Sequence, residues 1–148
     1  MASDARHARK SEQGHGWCSL RLRFDARELE LLRGAEHLRG RALAHTARPE
    51  VLRTALTLAK IGQKLGAAAP GASVSFEESE AGLLLEALRY GRDEVQQASR
   101  QREGEDAARY EAVTAAFPEL VEKGLWRSFG LIRELEALTA RLHDALHA

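Results

Sequence analysis

Arg21 and Arg23 are the residues whose type and spacing most clearly suggest a chemical role. They lie in WCSLRLRF (17–24), where apolar and polar residues alternate as in a half-buried β-strand. One face of this strand carries Trp17, Ser19, Arg21 and Arg23, and the other carries Cys18, Leu20, Leu22 and Phe24. Two guanidinium groups on one exposed face are suited to binding phosphate, or to bidentate hydrogen bonding with guanine O6 and N7.

Other chemically capable side chains lack the partners that catalysis or metal binding requires. His143 and His147 stand four positions apart, but only Asp144 is nearby to complete a metal site. Cys18 falls on the inward face of the strand without an activating base. The sequence contains no Gly-rich phosphate loop, nucleophile elbow or HExxH motif. We therefore expect no enzyme, no cofactor and no bound metal.

Charge is divided between two parts of the chain, although the formal net charge is zero. Residues 1–60 contain twelve Lys and Arg and seven acidic residues, whereas residues 61–148 contain ten and fifteen. This asymmetry favours a polyanion as partner of the first part, although charge drift or attraction between the two parts would give the same counts. The chain has a single cysteine, no apolar run long enough for a membrane span and no secretory h-region, so we expect a cytoplasmic protein.

The elements that position the strand are predicted to be helices. Asp25 and Glu28 have the spacing of a capping box, which opens a first helix that ends near Gly40. Pro49 suits the first turn of a second helix that runs to about residue 62. GAAAPGAS (66–73) is uncharged and rich in turn formers, and it predicts a domain boundary.

Helical patterns also fill the rest of the chain. Ser75 and Glu78 have the spacing of a capping box, and a leucine seam follows near the C-terminus at Leu131, Leu135, Leu138 and Leu142. FDARELELLRGA (24–35) and FEESEAGLLLEA (76–87) also share Phe, Glu, Leu-Leu and Ala at matching positions. The match ends with the first helix, so we interpret it as two similar helix starts more readily than as a duplication.

The segments SLRLRFDARELELLRGAEHLRG (19–40) and TARPEVLRTALTLA (46–59) together resemble the ribbon-helix-helix family of bacterial DNA-binding proteins. The family pattern is an alternating basic strand, a short helix, and a second helix that opens with a hydrophobic pair followed by Arg. That opening is RPEVLR (48–53) in this chain. The sequence departs from the pattern in a longer loop between the helices and in a displaced hydroxyl cap at Thr46.

The resemblance implies a homodimer in which the strand pairs with its own copy, which would satisfy its otherwise unpaired N–H and C=O groups. Leu20, Leu22 and Phe24 then form the dimer core. The predicted DNA-binding residues are Ser19, Arg21 and Arg23 on the ribbon, with Thr46 and Arg48 binding phosphate at the start of the second helix. The implied function is a transcriptional regulator that binds double-stranded DNA at a palindromic or repeated operator.

The predicted organisation is a mainly α protein in four parts. They are a disordered basic tail (1–16), a ribbon-helix-helix-like module (17–62), a linker (63–73) and a helical region (74–148) that oligomerises or binds another protein. Two alternatives stay open. In the first, the strand pairs with Val74-Ser75-Phe76 of the same chain and its arginines are solvated surface residues. In the second, the protein is a helical scaffold that dimerises through the leucine seam and does not bind DNA.

Overall fold

Three strands and six α-helices make up the part of the chain that the structure describes. The computed structural model describes the backbone of residues 5–10 and 16–148, and the side chains from Ser19 onward. The strands are β1 (Ala5–Lys10), β2 (Gly16–Arg23) and β3 (Ser73–Glu77). The helices are α1 (Ala26–Ala44), α2 (Pro49–Ala67), α3 (Glu78–Arg100), α4 (Ala107–Ala116), α5 (Glu119–Lys123) and α6 (Ser128–Leu146), with a 3-10 turn at Leu125–Arg127. The chain is therefore mainly helical, as predicted.

Strand β2 is the central strand of an antiparallel sheet with the order β1-β2-β3. Leu22 lies opposite Val74 of β3, and Ala8 of β1 lies opposite Cys18. Both edges of β2 are thus hydrogen-bonded within the chain, and no edge is left for the same strand of a second copy. The predicted intermolecular ribbon is therefore wrong, and the alternative pairing with residues 74–76 describes the sheet.

Residues 5–10 of the predicted disordered tail form β1, so that prediction is wrong for this segment. Its remaining residues before β2, 1–4 and 11–15, lie outside the described part of the chain. The predicted orientations of the Trp17 and Cys18 side chains also lie outside it. The pairing of β1 with β2 supplies partners for N–H and C=O groups that would otherwise form an open sheet edge.

The inward face of β2 packs into the core of its own chain. Leu20, Leu22 and Phe24 are at most 3% exposed and belong to one hydrophobic cluster with Val74 and Phe76. They are not a dimer core, because the helices of the same chain cover them. The alternation correctly predicted which face of β2 is buried, but the predicted partner that buries this face was wrong.

One hydrophobic core also joins the two regions predicted as separate. Helix α1 packs against α3 as well as against α2, and buried residues from residues 20–65 and 74–146 form a single cluster. The predicted linker 63–73 contains the last turn of α2 and the first residue of β3. The leucine seam of α6 is buried against α3 and is unavailable for dimerisation, with Leu131, Leu135, Leu138 and Leu142 at most 4% exposed.

Two strand-to-helix junctions of the same design lie side by side in the fold. At the first, the Glu28 N–H donates to Asp25 Oδ1 at 2.7 Å and the Asp25 N–H donates to Glu28 Oε1 at 3.0 Å, which confirms the predicted capping box. At the second, the Glu77 N–H donates to Glu80 Oε1 at 2.9 Å. The predicted box with Ser75 at the cap is wrong, because Ser75 lies within β3 and the N-cap residue is Glu77, two positions later.

Each junction is also held by a cation from a distant helix. Lys64 of α2 lies over the Phe76 ring and donates to the Ser75 carbonyl at 3.2 Å and to Glu80 at 2.7 Å. Arg141 of α6 lies over the Phe24 ring and donates to the Arg23 carbonyl and to Glu28. The three contacted residues of one junction stand 52 positions from those of the other.

These matching contacts define two related units in one chain. The first unit is β2, α1 and α2; the second is β3, α3 and α6, with α2 packed on α1 and α6 packed on α3. Leu22 and Val74, also 52 positions apart, lie directly opposite each other, which is the register that a two-fold axis through this pair requires. The short similarity between residues 24–35 and 76–87 therefore coincides with an approximate two-fold arrangement.

Candidate nucleic-acid interface

The outer face of β2 and β3 brings two arginines beside two serines. Arg21 and Arg23 are exposed, and they lie opposite Ser75 and Ser73, which are exposed as well. Ser19, at intermediate exposure, lies opposite Glu77. The structure therefore brings together Ser19, Arg21 and Arg23 as predicted, and adds the two serine hydroxyls of β3 as hydrogen-bonding groups.

The position of the arginines follows from the burial of their neighbours. Leu20 and Leu22 alternate with them along β2 and are at most 1% exposed. Because a register slip of one residue would exchange the two faces, burying these leucines fixes the arginines on the outside. The same alternation in SVSFE (73–77) buries Val74 and Phe76 and exposes the serines.

Charge is concentrated in the sheet. The sequences of the three strands contain five Lys and Arg residues and one acidic residue, although the whole chain is neutral. On the helices, many arginines are engaged by carboxylates, in the pairs Arg27–Glu134, Arg39–Glu86, Arg41–Glu111, Arg92–Glu136, Arg109–Glu94, Arg127–Glu119 and Arg141–Glu28. Within the described residues Arg21 and Arg23 form no ion pair, so their guanidinium groups are free for a ligand.

Thr46 and Arg48 do not join this face. The C-terminal end of α2 contacts the strands, as shown by Lys64, whereas Arg48 caps the opposite end of the helix. A helix of 19 residues separates these ends by about 27 Å at about 1.5 Å per residue. The predicted set of five DNA-binding residues is therefore split into a sheet group and a distant pair.

The cause of this separation is the antiparallel packing of α1 and α2, which puts the start of α2 at the end of α1 that lies away from β2. The first helix was predicted to end near Gly40, but it continues to Ala44. Glycine costs only about 1 kcal/mol in a helix relative to alanine, and packing of α1 against α2 along this segment offsets that cost. The four residues beyond Gly40 lengthen α1 by about 6 Å and add to the separation.

Other predicted candidates contribute no further site. The rings of His143 and His147 stack with centroids 4.2 Å apart, and no group of three His, Cys, Asp or Glu residues suited to a metal occurs in the described part of the chain. Trp126 and Phe129 are both 72% exposed. Among the described helices, none combines the length and apolar character needed to cross a bilayer.

Comparison with family models, with curated proteins and with solved structures finds no match to this chain. The functional assignment therefore depends on the geometry and charge of the sheet itself. The signal for Ser73 and Ser75 was present in the sequence, because SVSFE alternates in the same way as LRLRF. The pairing of β2 with residues 74–76, which the sequence left open as an alternative, implies this face.

Proposed function

We propose that the protein binds double-stranded DNA with the outer face of β2 and β3, and acts as a sequence-specific regulator. The observation that supports this function is the pair of exposed, unpaired arginines beside two exposed serines on one rigid sheet face. A two-stranded antiparallel ribbon fits the major groove. Arg21 and Arg23 bind guanine edges, and the serines bind base edges or phosphate.

The resemblance to the ribbon-helix-helix family supports this proposal in a modified form. In that family two chains each contribute a strand and two helices. Here two related units of one chain, β2-α1-α2 and β3-α3-α6, contribute one strand each. The ribbon is therefore complete without a second subunit. Its basic neighbour β1 adds sequence-independent attraction to the DNA backbone.

The ribbon predicts an asymmetric target. Its two halves are not equivalent, because Arg21 and Arg23 of the first unit correspond to Ser73 and Ser75 of the second. A single ribbon would read guanines mainly on one side of its axis, so one chain binds a non-palindromic site. This differs from the palindromic operator that the resemblance implies for a homodimer.

The direct test is DNA binding at low and moderate salt by the wild type and by Arg21→Ala/Arg23→Ala. Selection from random duplexes should give a guanine-containing consensus. The double variant should lose that preference, with about 1–3 kcal/mol lost per bidentate contact. The salt dependence of its affinity should fall by about two in logarithmic slope if both arginines also neutralise phosphates.

A matched control is Arg100→Ala/Arg102→Ala, which removes two exposed arginines at the same spacing outside the sheet. This control should keep both the consensus and the salt slope. Equal weakening by the two double variants would show that the binding is non-specific attraction and not readout by the sheet. Absence of binding at low salt would overturn the proposal.

A protein-interaction role without DNA binding is the second candidate, and the exposure of Trp126 and Phe129 favours it. Exposed aromatic residues are enriched where one protein surface meets another. Dimerisation through the leucine seam no longer supports this candidate, since the seam is buried. The two functions are separated by the DNA titration, because only the regulator requires Arg21 and Arg23.

A further inference from the structure

An apolar groove runs between α1 and α2 on the outside of the first unit. It has a volume of about 580 Å³ and is lined by Glu36, His37, Gly40, Arg41, Ala44, Leu52, Ala55, Leu56 and Ala59. Leu56 is 66% exposed and Leu52 is 38% exposed on its α2 wall. Large exposed apolar side chains thus stand beside small ones on a single surface.

The corresponding groove of the second unit, between α3 and α6, carries charged side chains. There α3 and α6 are bridged by Arg92 and Glu136, whose Nη2 and Oε2 atoms lie 3.0 Å apart. Arg92 stands 52 positions after Gly40, and Glu136 follows the buried Leu135 as Ala59 follows the buried Leu58. The first unit therefore has glycine and alanine where the second has an ion pair. The two grooves therefore differ in whether an ion pair bridges the helices.

Arg41 lines the α1 wall of the first groove and is paired with Glu111, whereas Arg48 and Glu36 lie toward its two ends. Arg48 caps the start of α2, four positions before Leu52 and so on the same side of the helix. Glu36 lies at the other end, packed against Gly62, where a Cβ atom would come within 2.3 Å of its carboxylate. Neither Glu36 nor Arg48 has an ion-pair partner among the described residues. Burial raises the pKa of Glu36, because its carboxylate is poorly solvated there.

We infer that this groove is a two-fold interface for a second copy of the same chain. Two α2 helices pack antiparallel, and Leu52 and Leu56 of each copy fill the space over Gly40, Ala55 and Ala59 of the other. Large and small residues on one face make the surface self-complementary, which a two-fold interface requires. With the axis near Leu56, Arg48 of one copy lies opposite Gly62 and Glu36 of the other.

The charge pattern selects this partner over an unrelated apolar segment. An antiparallel pair brings Arg48 of each copy toward Glu36 of the other, whereas a parallel pair would bring Arg48 to Arg48 and Glu36 to Glu36. The contact also provides a counter-charge for Glu36, whose half-buried carboxylate is otherwise unpaired. Arg48 is then an interface residue and not a phosphate ligand, in agreement with its distance from the sheet.

The first test is the mass of the full chain in solution by sedimentation equilibrium across a concentration series. The wild type should be a dimer. Leu56→Glu should raise the dissociation constant at least about tenfold, because the exposed leucine is a central contact. Phe129→Glu is the matched control, since Phe129 is 72% exposed and occupies the place in α6 that Leu52 has in α2. This control should stay dimeric.

A second pair of variants tests the groove and its charges. Gly40→Arg/Ala59→Glu copies the ion pair of the second unit into the first. A Cβ on Gly40 meets only Leu58 at 3.9 Å, so the substitution is tolerated and should give a folded monomer. Glu36→Arg and Arg48→Glu should each weaken the dimer, and the double variant should recover at least about half of the lost affinity on a logarithmic scale.

A monomeric wild type at every concentration overturns the inference, as does dissociation by Phe129→Glu with Leu56→Glu unaffected. A double charge variant no better than the single ones refutes the antiparallel arrangement. The inference is independent of DNA binding, because the arginines of the sheet are outside the groove. Leu56→Glu monomers that still select a DNA consensus would leave the proposed function intact, with a site half as long.

Discussion

The two units of this chain have the same frame and different surfaces. Each consists of a strand, a capped helix and a second helix of 19 residues, and each junction is closed by a cation over a phenylalanine. The inward residues Leu22, Phe24 and Glu28 have the counterparts Val74, Phe76 and Glu80. The residues that pack or cap are thus retained between the units.

The outward residues differ between the units in two places. Arginines on β2 correspond to serines on β3, and the apolar groove of the first unit corresponds to an ion-paired groove in the second. Because the strand and its two helices pack in the same way with either set of outward residues, neither difference is needed for folding. Under both proposals made above, the first unit carries the binding surfaces and the second completes the frame.

The largest predicted effect concerns the phenylalanines at the centre of the frame. Phe24 and Phe76 are at most 3% exposed, and their ring centroids are 6.5 Å apart. We expect Phe24→Ala and Phe76→Ala each to lower the free energy of unfolding by about 3–5 kcal/mol. Chemical denaturation should also show non-additivity of about 0.5–1.5 kcal/mol in the double variant. Strongly unequal costs would contradict the equivalence of the units.

The next effect concerns the difference between the arginines of β2 and the serines of β3. Ser73→Arg/Ser75→Arg gives the second strand the charges of the first. We expect a gain of about 1–3 kcal/mol on a DNA site with guanines on both sides of its centre, measured by competition between symmetric and asymmetric duplexes. Ser73→Gln/Ser75→Gln is the uncharged control. If both variants prefer the same duplex as the wild type, the serine face lies outside the DNA contact.

A smaller effect distinguishes the two cations. The Arg141 side chain is 25% exposed and the Lys64 side chain is 41% exposed. We expect Arg141→Met to cost about 1–3 kcal/mol of unfolding free energy, because a partly buried carbonyl and carboxylate lose their donor. Lys64→Met should cost about 0.5–1 kcal/mol, since the Lys64 ammonium is the better solvated of the two cations. A larger cost for Lys64→Met would reverse this ranking.

The smallest effect is a pH dependence at the contact between α1 of the first unit and α6 of the second. A hydrogen bond from Arg27, helped by Arg127, lowers the pKa of Glu134. The folded-state pKa lies below the unfolded value of about 4.3, so this stabilisation is present above that pH and is lost as the pH falls through the folded-state value. Glu134→Gln should therefore be destabilised less than the wild type between pH 6 and pH 3. Glu103→Gln, exposed at a turn, should follow the wild type.

Local features of the fold were predictable because they depend on neighbouring residues. Alternation identified the buried face of β2, and Asp25, Glu28 and Pro49 marked the starts of α1 and α2. The partner of β2 was not predictable from alternation, which states which face is buried but not what covers it. The similarity around Phe24 and Phe76 did contain that information, because equivalent residues face each other across a two-fold axis.

The site was predictable only in its sheet part. Ser19, Arg21 and Arg23 followed from the pattern of one strand. Thr46 and Arg48 were joined to them by the resemblance to the ribbon-helix-helix family, whereas the antiparallel packing of α1 and α2 places the start of α2 far from the sheet. The apolar groove could not be predicted from the sequence. Gly40 and Ala59 are distinctive only in comparison with Arg92 and Glu136, and that comparison requires the structural equivalence of the two units.

The cations at the junctions are exchanged between the units, since Lys64 of the first acts on the second and Arg141 of the second acts on the first. Each half of the chain therefore supplies the cation that holds the strand-to-helix junction of the other half. A cut at Gly71, in the exposed connection between α2 and β3, would produce two fragments that are each incomplete alone. Mixed together, they would form a complementing pair whose reassembly reports directly on the strength of the exchange.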